Sequence, residues 1–83
     1  MPYYVYVLKS LSDGHLYTGS TEDVEKRLKE HNGGKVHSTK SRRPLIIIYR
    51  EELETRTEAR KRENYLKSGP GRRFLKERIA IQE

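Results

Sequence analysis

Two short segments with the composition of β-strands open the chain, and a turn separates them. Residues 3–9 and residues 15–20 are rich in aromatic and β-branched side chains, which favour extended structure. Ser12, Asp13 and Gly14 lie between the two segments and are residues that favour a tight turn. The pattern predicts a β-hairpin at the start of the chain.

A helix is predicted directly after the hairpin, over residues 22–32. Ser20 or Thr21 supplies a capping hydroxyl at its start, and acidic side chains in its first turn suit the helix dipole. Gly33 is suited to the end of a helix. A basic loop of residues 33–43 follows and leads toward the second half of the chain.

The second half of the chain begins with an apolar run at residues 45–49, which predicts a third strand at the centre of the sheet. Thr55 and Glu58 then form a capping box for a helix that continues to Ser68. The run from Gly69 to Gly71 contains Pro70 and is expected to end that helix.

A last helix is predicted over residues 72–80, so the order of elements is β-β-α-β-α-α. This order predicts an α+β fold of mixed α/β type, in which two to three helices flank a small three-stranded antiparallel sheet. A chain of 83 residues has room for one hydrophobic core, so residues 1–83 are expected to form a single domain.

Polar residues fall on the apolar face of the first predicted helix. Val24 and Leu28 define the inner stripe of that helix at helical spacing, and His31 lies on the same stripe. Arg27 lies at the border of the stripe. Both polar side chains are therefore expected to point toward the sheet.

The second helix carries a carboxylate on its apolar face. Ala59 and Leu66 mark the inner face, and Glu63 falls between them. A carboxylate in apolar surroundings needs a partner or a function. Two explanations are open: an ion pair with Arg27 that only fixes the packing, or a functional site.

One assumed register of the hairpin places two tyrosines near each other. Pairing of Lys9 with Leu16 would set Tyr6 opposite Gly19 and diagonal to Tyr17 on one face of the sheet. Gly19 would then leave open space beside the Tyr6 ring for a phosphate or a water. Tyrosines on a small sheet are often packing residues, so they indicate a site only together with other groups.

Basic residues exceed acidic ones, with 18 Lys and Arg against 12 Asp and Glu, and residues 25–50 alone carry a net charge of +6. Such a local positive field suits a polyanion such as nucleic acid.

The absence of cysteine excludes disulfides, thiolate nucleophiles and Cys-ligated zinc. The longest aliphatic run, residues 45–48, is too short to span a bilayer, so we expect a cytoplasmic protein without a membrane partner. The oligomeric state is left open.

The order of these motifs resembles the GIY-YIG nuclease superfamily, especially its small stand-alone bacterial members. Residues 4–6 (YVY) stand for the first triplet of the family and residues 17–19 (YTG) for the second, with their tyrosines Tyr6 and Tyr17 eleven positions apart. Residues 25–31 (EKRLKEH) resemble the helix that bears the motif arginine, and residues 62–67 (RENYLK) resemble the metal-ligand helix. The resemblance covers nearly the whole chain.

The resemblance implies an endonuclease that hydrolyses phosphodiester bonds of nucleic acid, nonspecific or structure-selective, with a role in DNA repair or processing. It implies one Mg²⁺ or Mn²⁺ ion, with Glu63 as the metal ligand. Tyr6 is the favoured general base, Arg27 would clamp the phosphate, and His31 would orient the water or a tyrosine hydroxyl. The implied catalytic residues are Tyr6, Tyr17, Arg27, His31 and Glu63.

Affinity for nucleic acid, with DNA the expected partner, is assigned to basic residues other than the implied catalytic ones, and their contacts would be blind to base sequence. The residues expected to bind the nucleic acid are Lys35, Lys40, Arg42, Arg43, Lys67, Arg72 and Arg73. Two alternatives remain: a nucleic-acid-binding module of the same fold with weak or no catalysis, and an adaptor that binds other proteins.

Overall fold

Three strands form one antiparallel sheet in the computed structural model, which describes residues 2–82 and the side chains of residues 2–79. The strands are β1 (Tyr3–Ser10), β2 (Leu16–Thr21) and β3 (Leu45–Leu53). Their order in the sheet is β2-β1-β3. The predicted domain of residues 1–83 extends one residue beyond the described part at each end.

The prediction that the third strand is central is wrong, because β1 lies between the other two strands. Four consecutive residues of β1, from Val5 to Leu8, are buried, as expected for a strand covered on both faces. By contrast, Ile46 of β3 is 41% exposed. A short apolar run by itself therefore did not identify the central strand.

Three α-helices complete the fold: α1 (Val24–Asn32), α2 (Arg56–Lys67) and α3 (Gly69–Gln82), with a short 3₁₀ helix (His37–Arg42) between α1 and β3. Leaving the 3₁₀ helix aside, the order is β-β-α-β-α-α, and the predicted fold class is confirmed. No helix in the described part of the chain combines the length and the apolar character needed to cross a membrane.

The starts of two helices differ from the prediction. The N-cap of α1 is Asp23, whose carboxylate accepts a hydrogen bond from the Lys26 amide at 3.1 Å, because β2 continues to Thr21. Helix α3 begins at Gly69 and includes the Gly-Pro-Gly run in its first turn, where proline is tolerated. A Cβ atom at Gly71 would lie 1.9 Å from the Tyr65 carbonyl oxygen, so this glycine allows α3 to start directly against α2.

The core has two parts because β1 contributes side chains to both faces of the sheet. One group of buried side chains lies between the sheet and helices α2 and α3: Val5, Val7, Ala59, Leu66 and Leu75. The other lies between the sheet and α1: Tyr6, Leu8, Val24 and Leu45. Helices thus cover both faces of the sheet, and β2 is left as an edge strand.

The register of the hairpin is the one that the sequence analysis assumed. Lys9 pairs with Leu16, and Tyr6 pairs with Gly19. Since alternate residues of a strand share a face, Tyr17 and Gly19 lie on the α1 side together with Tyr6. The next residue after Gly19 points to the opposite face, toward α2.

Candidate active site

An open cleft of about 1090 Å³ runs along the edge strand β2. All five side chains that the motifs singled out line this cleft: Tyr6, Tyr17, Arg27, His31 and Glu63. They come from four different elements of the fold, namely β1, β2, α1 and α2. The sequence motifs are therefore brought together in space.

The buried part of the cleft holds a chain of three polar side chains. Tyr6 Oη lies 3.1 Å from His31 Nε2, and His31 Nδ1 lies 2.8 Å from Thr39 Oγ1 on the 3₁₀ helix. Tyr6 and His31 are each 5% exposed, and Thr39 is 1% exposed. Burial, reinforced by the nearby Arg27 guanidinium, lowers the pKa of His31, so the imidazole is neutral at neutral pH.

The phenol of Tyr6 has an environment that keeps its proton in place. Burial raises the pKa of Tyr6, and the guanidinium of Arg27 opposes that effect only in part. The neighbouring phenol in turn raises the pKa of Arg27, which stays cationic. Tyr6 is therefore protonated at neutral pH, with a fixed cation beside it and a neutral imidazole as its hydrogen-bond partner.

Arg27 does not form the packing ion pair with Glu63 that the sequence left open. Its Nη1 atom lies 3.4 Å from Glu30 Oε1, one turn along α1, and its side chain is 39% exposed. Arg27 also lines the cleft, so its partly exposed guanidinium is available to an anion there.

Glu63 reaches the cleft from α2 along the β2 edge. The Ser20 hydroxyl donates a hydrogen bond to Glu63 Oε1 at 2.9 Å, and Lys67 Nζ donates to Oε2 at 2.8 Å. The side chain is 18% exposed, so the carboxylate is neither buried without partners nor free in solvent. Ser20 orients this group, although the sequence suggested it only as a helix cap.

Gly19 is what lets Tyr6 approach the edge strand so closely. A Cβ atom at position 19 would lie 2.5 Å from Tyr6 Oη and 2.7 Å from Tyr6 Cζ, closer than side chains tolerate. The phenol itself thus occupies the space at Gly19 that the sequence analysis expected a phosphate or a water to use, while Ser20 on the other face meets Glu63. Groups from both faces of the sheet therefore meet around two consecutive residues.

The second motif tyrosine, Tyr17, lies at the outer part of the cleft. Its ring centroid is 6.4 Å from that of His15, and both residues line the cleft on β2 or just before it. Tyr17 is partly buried, and His15 is exposed. The Tyr17 ring thus forms part of the wall rather than the hydrogen-bonded centre.

The single carboxylate among the described residues of the cleft suits a cation that keeps most of its water ligands. Glu63 is the one acidic residue among the described residues that line the cleft, and no cluster of three His, Asp or Glu side chains occurs in the described part of the chain. Mg²⁺ is commonly held by one or two carboxylates together with waters and substrate phosphates, whereas structural zinc needs four protein ligands. Glu63 therefore fits Mg²⁺ and does not fit a closed zinc site.

Two of the predicted nucleic-acid-binding residues, Lys67 and Arg72, line the cleft. Lys9 and Lys76 also line it, and no pattern in the sequence indicated them, because their places depend on how β1 and α3 pack. Arg72 and Lys76 are four residues apart on α3 and so share one face of that helix.

The other predicted basic residues lie outside the residues that line the cleft. Arg42 forms an ion pair with Asp13, and Arg43 donates from Nε to the Lys40 carbonyl oxygen at 2.8 Å. These two arginines therefore help to hold the loop around the 3₁₀ helix. The remaining three, exposed in the structure, are Lys35, Lys40 and Arg73.

Comparison with known proteins identifies the family. The family model of the GIY-YIG catalytic domain matches residues 2–74. A UPF0213 protein of Staphylococcus saprophyticus is 43% identical over 75 residues, which cover 89% of this chain and 90% of that protein. A UPF0213 protein of Staphylococcus aureus is 46% identical over 67 residues, or 80% of each chain. The solution NMR structure of the UPF0213 protein BH0048 from Bacillus halodurans matches with a TM-score of 0.54 and 35% identity, covering 90% of this chain and 82% of that one. The resemblance seen in the motifs is confirmed: the chain belongs to the GIY-YIG family, which comprises endonucleases, and is similar to the UPF0213 proteins over most of its length.

Proposed function

We propose that this protein is a Mg²⁺-dependent endonuclease that hydrolyses phosphodiester bonds of nucleic acid, with DNA as the expected substrate and Mn²⁺ as an alternative metal. The observation that carries the proposal is the position of Glu63, whose oriented carboxylate lines the same cleft as Tyr6, Arg27 and His31. The family to which the chain belongs supports the reaction class. DNA repair or processing is the proposed setting, and the cytoplasm the proposed location.

Tyr6 is proposed as the general base, with His31 as its proton acceptor. The phenol holds its proton at neutral pH, so it can take a proton from the attacking water only by passing its own proton to His31 Nε2, 3.1 Å away. The water oxygen then bonds to phosphorus, the bond from phosphorus to the leaving oxygen breaks, and that oxygen takes a proton from solvent. Tyr17, in the cleft wall, would help to place the water or the substrate.

Arg27 and Glu63 deal with the negative charge of the phosphate. The guanidinium of Arg27 can donate two parallel hydrogen bonds to phosphate oxygens from beside the phenol. Glu63, held by Ser20, would bind the metal, which when bound stabilises the charge that develops on the phosphate. The Glu63–Lys67 ion pair would have to open on one side, and the 52% exposed Lys67 side chain has the freedom to move.

Besides Arg27, four cations along the cleft would supply contacts to the phosphate backbone: Lys9, Lys67, Arg72 and Lys76. Of these, Arg72 and Lys76 are about 6 Å apart along the α3 axis, since each helical residue rises about 1.5 Å. Such contacts position the strand without reading its bases. Nonspecific or structure-selective cleavage is therefore expected.

A cleavage assay on nicked, branched and single-stranded DNA and RNA, with Mg²⁺, Mn²⁺ or EDTA, tests the proposal. Glu63→Gln keeps an acceptor for Ser20 but removes the charge, and we expect it to lower kcat by roughly 10²-fold or more, the scale of losing one electrostatic group. Binding, measured by fluorescence anisotropy, should persist. Glu77→Gln, an exposed change on α3, is the matched control and should cleave normally.

A second candidate function is a nucleic-acid-binding module with weak or no catalysis. The observation that favours it is the ion pair of Lys67 with Glu63, which competes with a metal for Oε2. Under this alternative, the wild type binds nucleic acid but cleaves no substrate with either metal. A protein-interaction adaptor would instead show no salt-dependent affinity for nucleic acid, so the same binding measurements distinguish it.

A further inference from the structure

We infer that Thr39 is a positioning residue, which holds the His31 ring in its Nδ1–H tautomer and so leaves Nε2 free to accept the Tyr6 proton. Thr39 lies on the 3₁₀ helix and belongs to none of the family motifs. Its catalytic consequence rests on the proposed function, whereas the tautomer itself can be measured without any activity.

Thr39 is a polar residue in a buried position. It is the buried residue of the 3₁₀ helix His37–Arg42, and it is 1% exposed. A buried valine would fill nearly the same volume, so packing alone does not require a hydroxyl here. The hydroxyl oxygen meets the ring of His31 at 2.8 Å. The polar atom is therefore accounted for by its contact with the imidazole.

The direction of the hydrogen bonds follows from counting donors. The Thr39 hydroxyl donates to the Val36 carbonyl oxygen at 3.4 Å, so its own oxygen is left to accept from His31 Nδ1–H. His31 Nε2 then carries no proton and accepts from the Tyr6 hydroxyl at 3.1 Å. All three donors have acceptors in this arrangement.

The opposite arrangement satisfies fewer groups. If Thr39 donated to Nδ1, the proton of the ring would lie on Nε2 and point at Tyr6 Oη. The Tyr6 hydroxyl proton would then need another acceptor, although Tyr6 is only 5% exposed. In the structure, the side chain that Tyr6 meets at hydrogen-bond distance is His31. A buried donor without an acceptor is costly, so the Nδ1–H tautomer is favoured.

The charges around the ring are consistent with a neutral imidazole. The titratable and charged groups that face it are Tyr6 from β1 and Arg27 and Glu30 from α1. Burial and the Arg27 guanidinium disfavour the imidazolium, and Glu30 opposes them in part. A neutral ring has one donor and one acceptor nitrogen, and the hydrogen bond to Thr39 determines which nitrogen carries the proton.

NMR spectra of ¹⁵N-labelled protein, with His31 assigned by comparison with His31→Gln, give the direct test. We expect the Nδ1–H tautomer in the wild type and in Thr39→Ser, which keeps the hydroxyl. In Thr39→Val the acceptor is gone, and we expect the population to shift toward Nε2–H. A wild-type ring in the Nε2–H form, or an unchanged tautomer in Thr39→Val, would overturn the inference. If the valine variant does not fold, Thr39→Ala and the wild-type spectrum decide.

Kinetics separate positioning from general structural damage. Thr39→Val should lower kcat by roughly 10²-fold, the scale of losing general acid–base assistance, while KM stays near the wild-type value. Thr39→Ser should restore kcat. Equal kcat in the wild type and Thr39→Val would contradict the role. If the wild type itself cleaves nothing, the proposed function fails, but the tautomer measurement still tests Thr39.

Discussion

Replacing Gly19 by alanine tests whether Tyr6 is held against the edge strand as the structure describes. The new Cβ would lie 2.5 Å from Tyr6 Oη, 2.7 Å from Cζ and 3.2 Å from Cε1. Non-bonded carbon atoms normally approach to about 3.5–4.0 Å, so the phenol would have to move by roughly 1 Å. Tyr6 is 5% exposed and bound to His31, so it has little freedom to move without cost.

The expected size of the effect follows from overpacking and misplacement. Forcing an extra methyl into a packed site costs about 1–3 kcal/mol of folding free energy. A displacement of about 1 Å at a reacting group can lower the rate roughly 10²-fold. Gly19→Ala should therefore reduce both the free energy of unfolding and kcat, while affinity for nucleic acid changes less.

Urea unfolding and single-turnover cleavage measure the two effects. Gly69→Ala is the matched control, because a Cβ there has no atom within 4 Å, and it should leave both quantities close to wild type. In a Tyr6→Leu background the added methyl has space, so the stability cost of Gly19→Ala should shrink. If Gly19→Ala were as stable and as active as the wild type, the close packing of Tyr6 on β2 would be refuted.

Two further predictions concern proton uptake and phosphate contacts. Because the pKa of His31 is lowered in the folded protein, the unfolded chain binds this proton first as the pH falls. The free energy of unfolding should therefore decrease as the pH drops below about 6.5. In His31→Gln, this pH dependence of the urea-derived free energy should be weaker, and an unchanged slope would contradict the assignment. Replacing Arg72 and Lys76 together by glutamine should reduce the magnitude of the slope of log binding constant against log salt concentration by about 1.4–1.8. The control is the same replacement of Arg60 and Lys61, which are exposed and lie outside the cleft, and it should leave the slope unchanged.

Much of the fold could be predicted because several local signals agreed. The turn signal and the strand composition predicted the hairpin, and the register assumed for it placed Tyr6 opposite Gly19 as observed. Helical spacing placed Val24 and His31 on a buried face. The order of the strands was not predictable in this way, since β1 and β3 are both apolar and sheet order depends on long-range packing.

The contents of the cleft were predictable only in part. Motif spacing led to Glu63, but it did not lead to Ser20, whose hydroxyl points at that carboxylate because Ser20 alternates with Gly19 on β2. The alternation was readable in the sequence, and it was the one signal that could have found Ser20. Thr39 had no such signal, since it lies in a loop whose 3₁₀ helix brings it to His31 through contacts eight residues apart.

The edge position of β2 explains how a small sheet can combine groups from its two faces. Tyr6, on the central strand, faces α1, whereas Glu63 lies on α2 across the sheet. Strands β2 and β3 lie on either side of β1, so groups from the two faces can meet only around an edge strand that has a gap in its side chains. Gly19 provides that gap, and Ser20, the next residue, faces the other way and holds Glu63. A slip of β2 by one residue would exchange the two positions, so both halves of the candidate site depend on the register of the same hairpin.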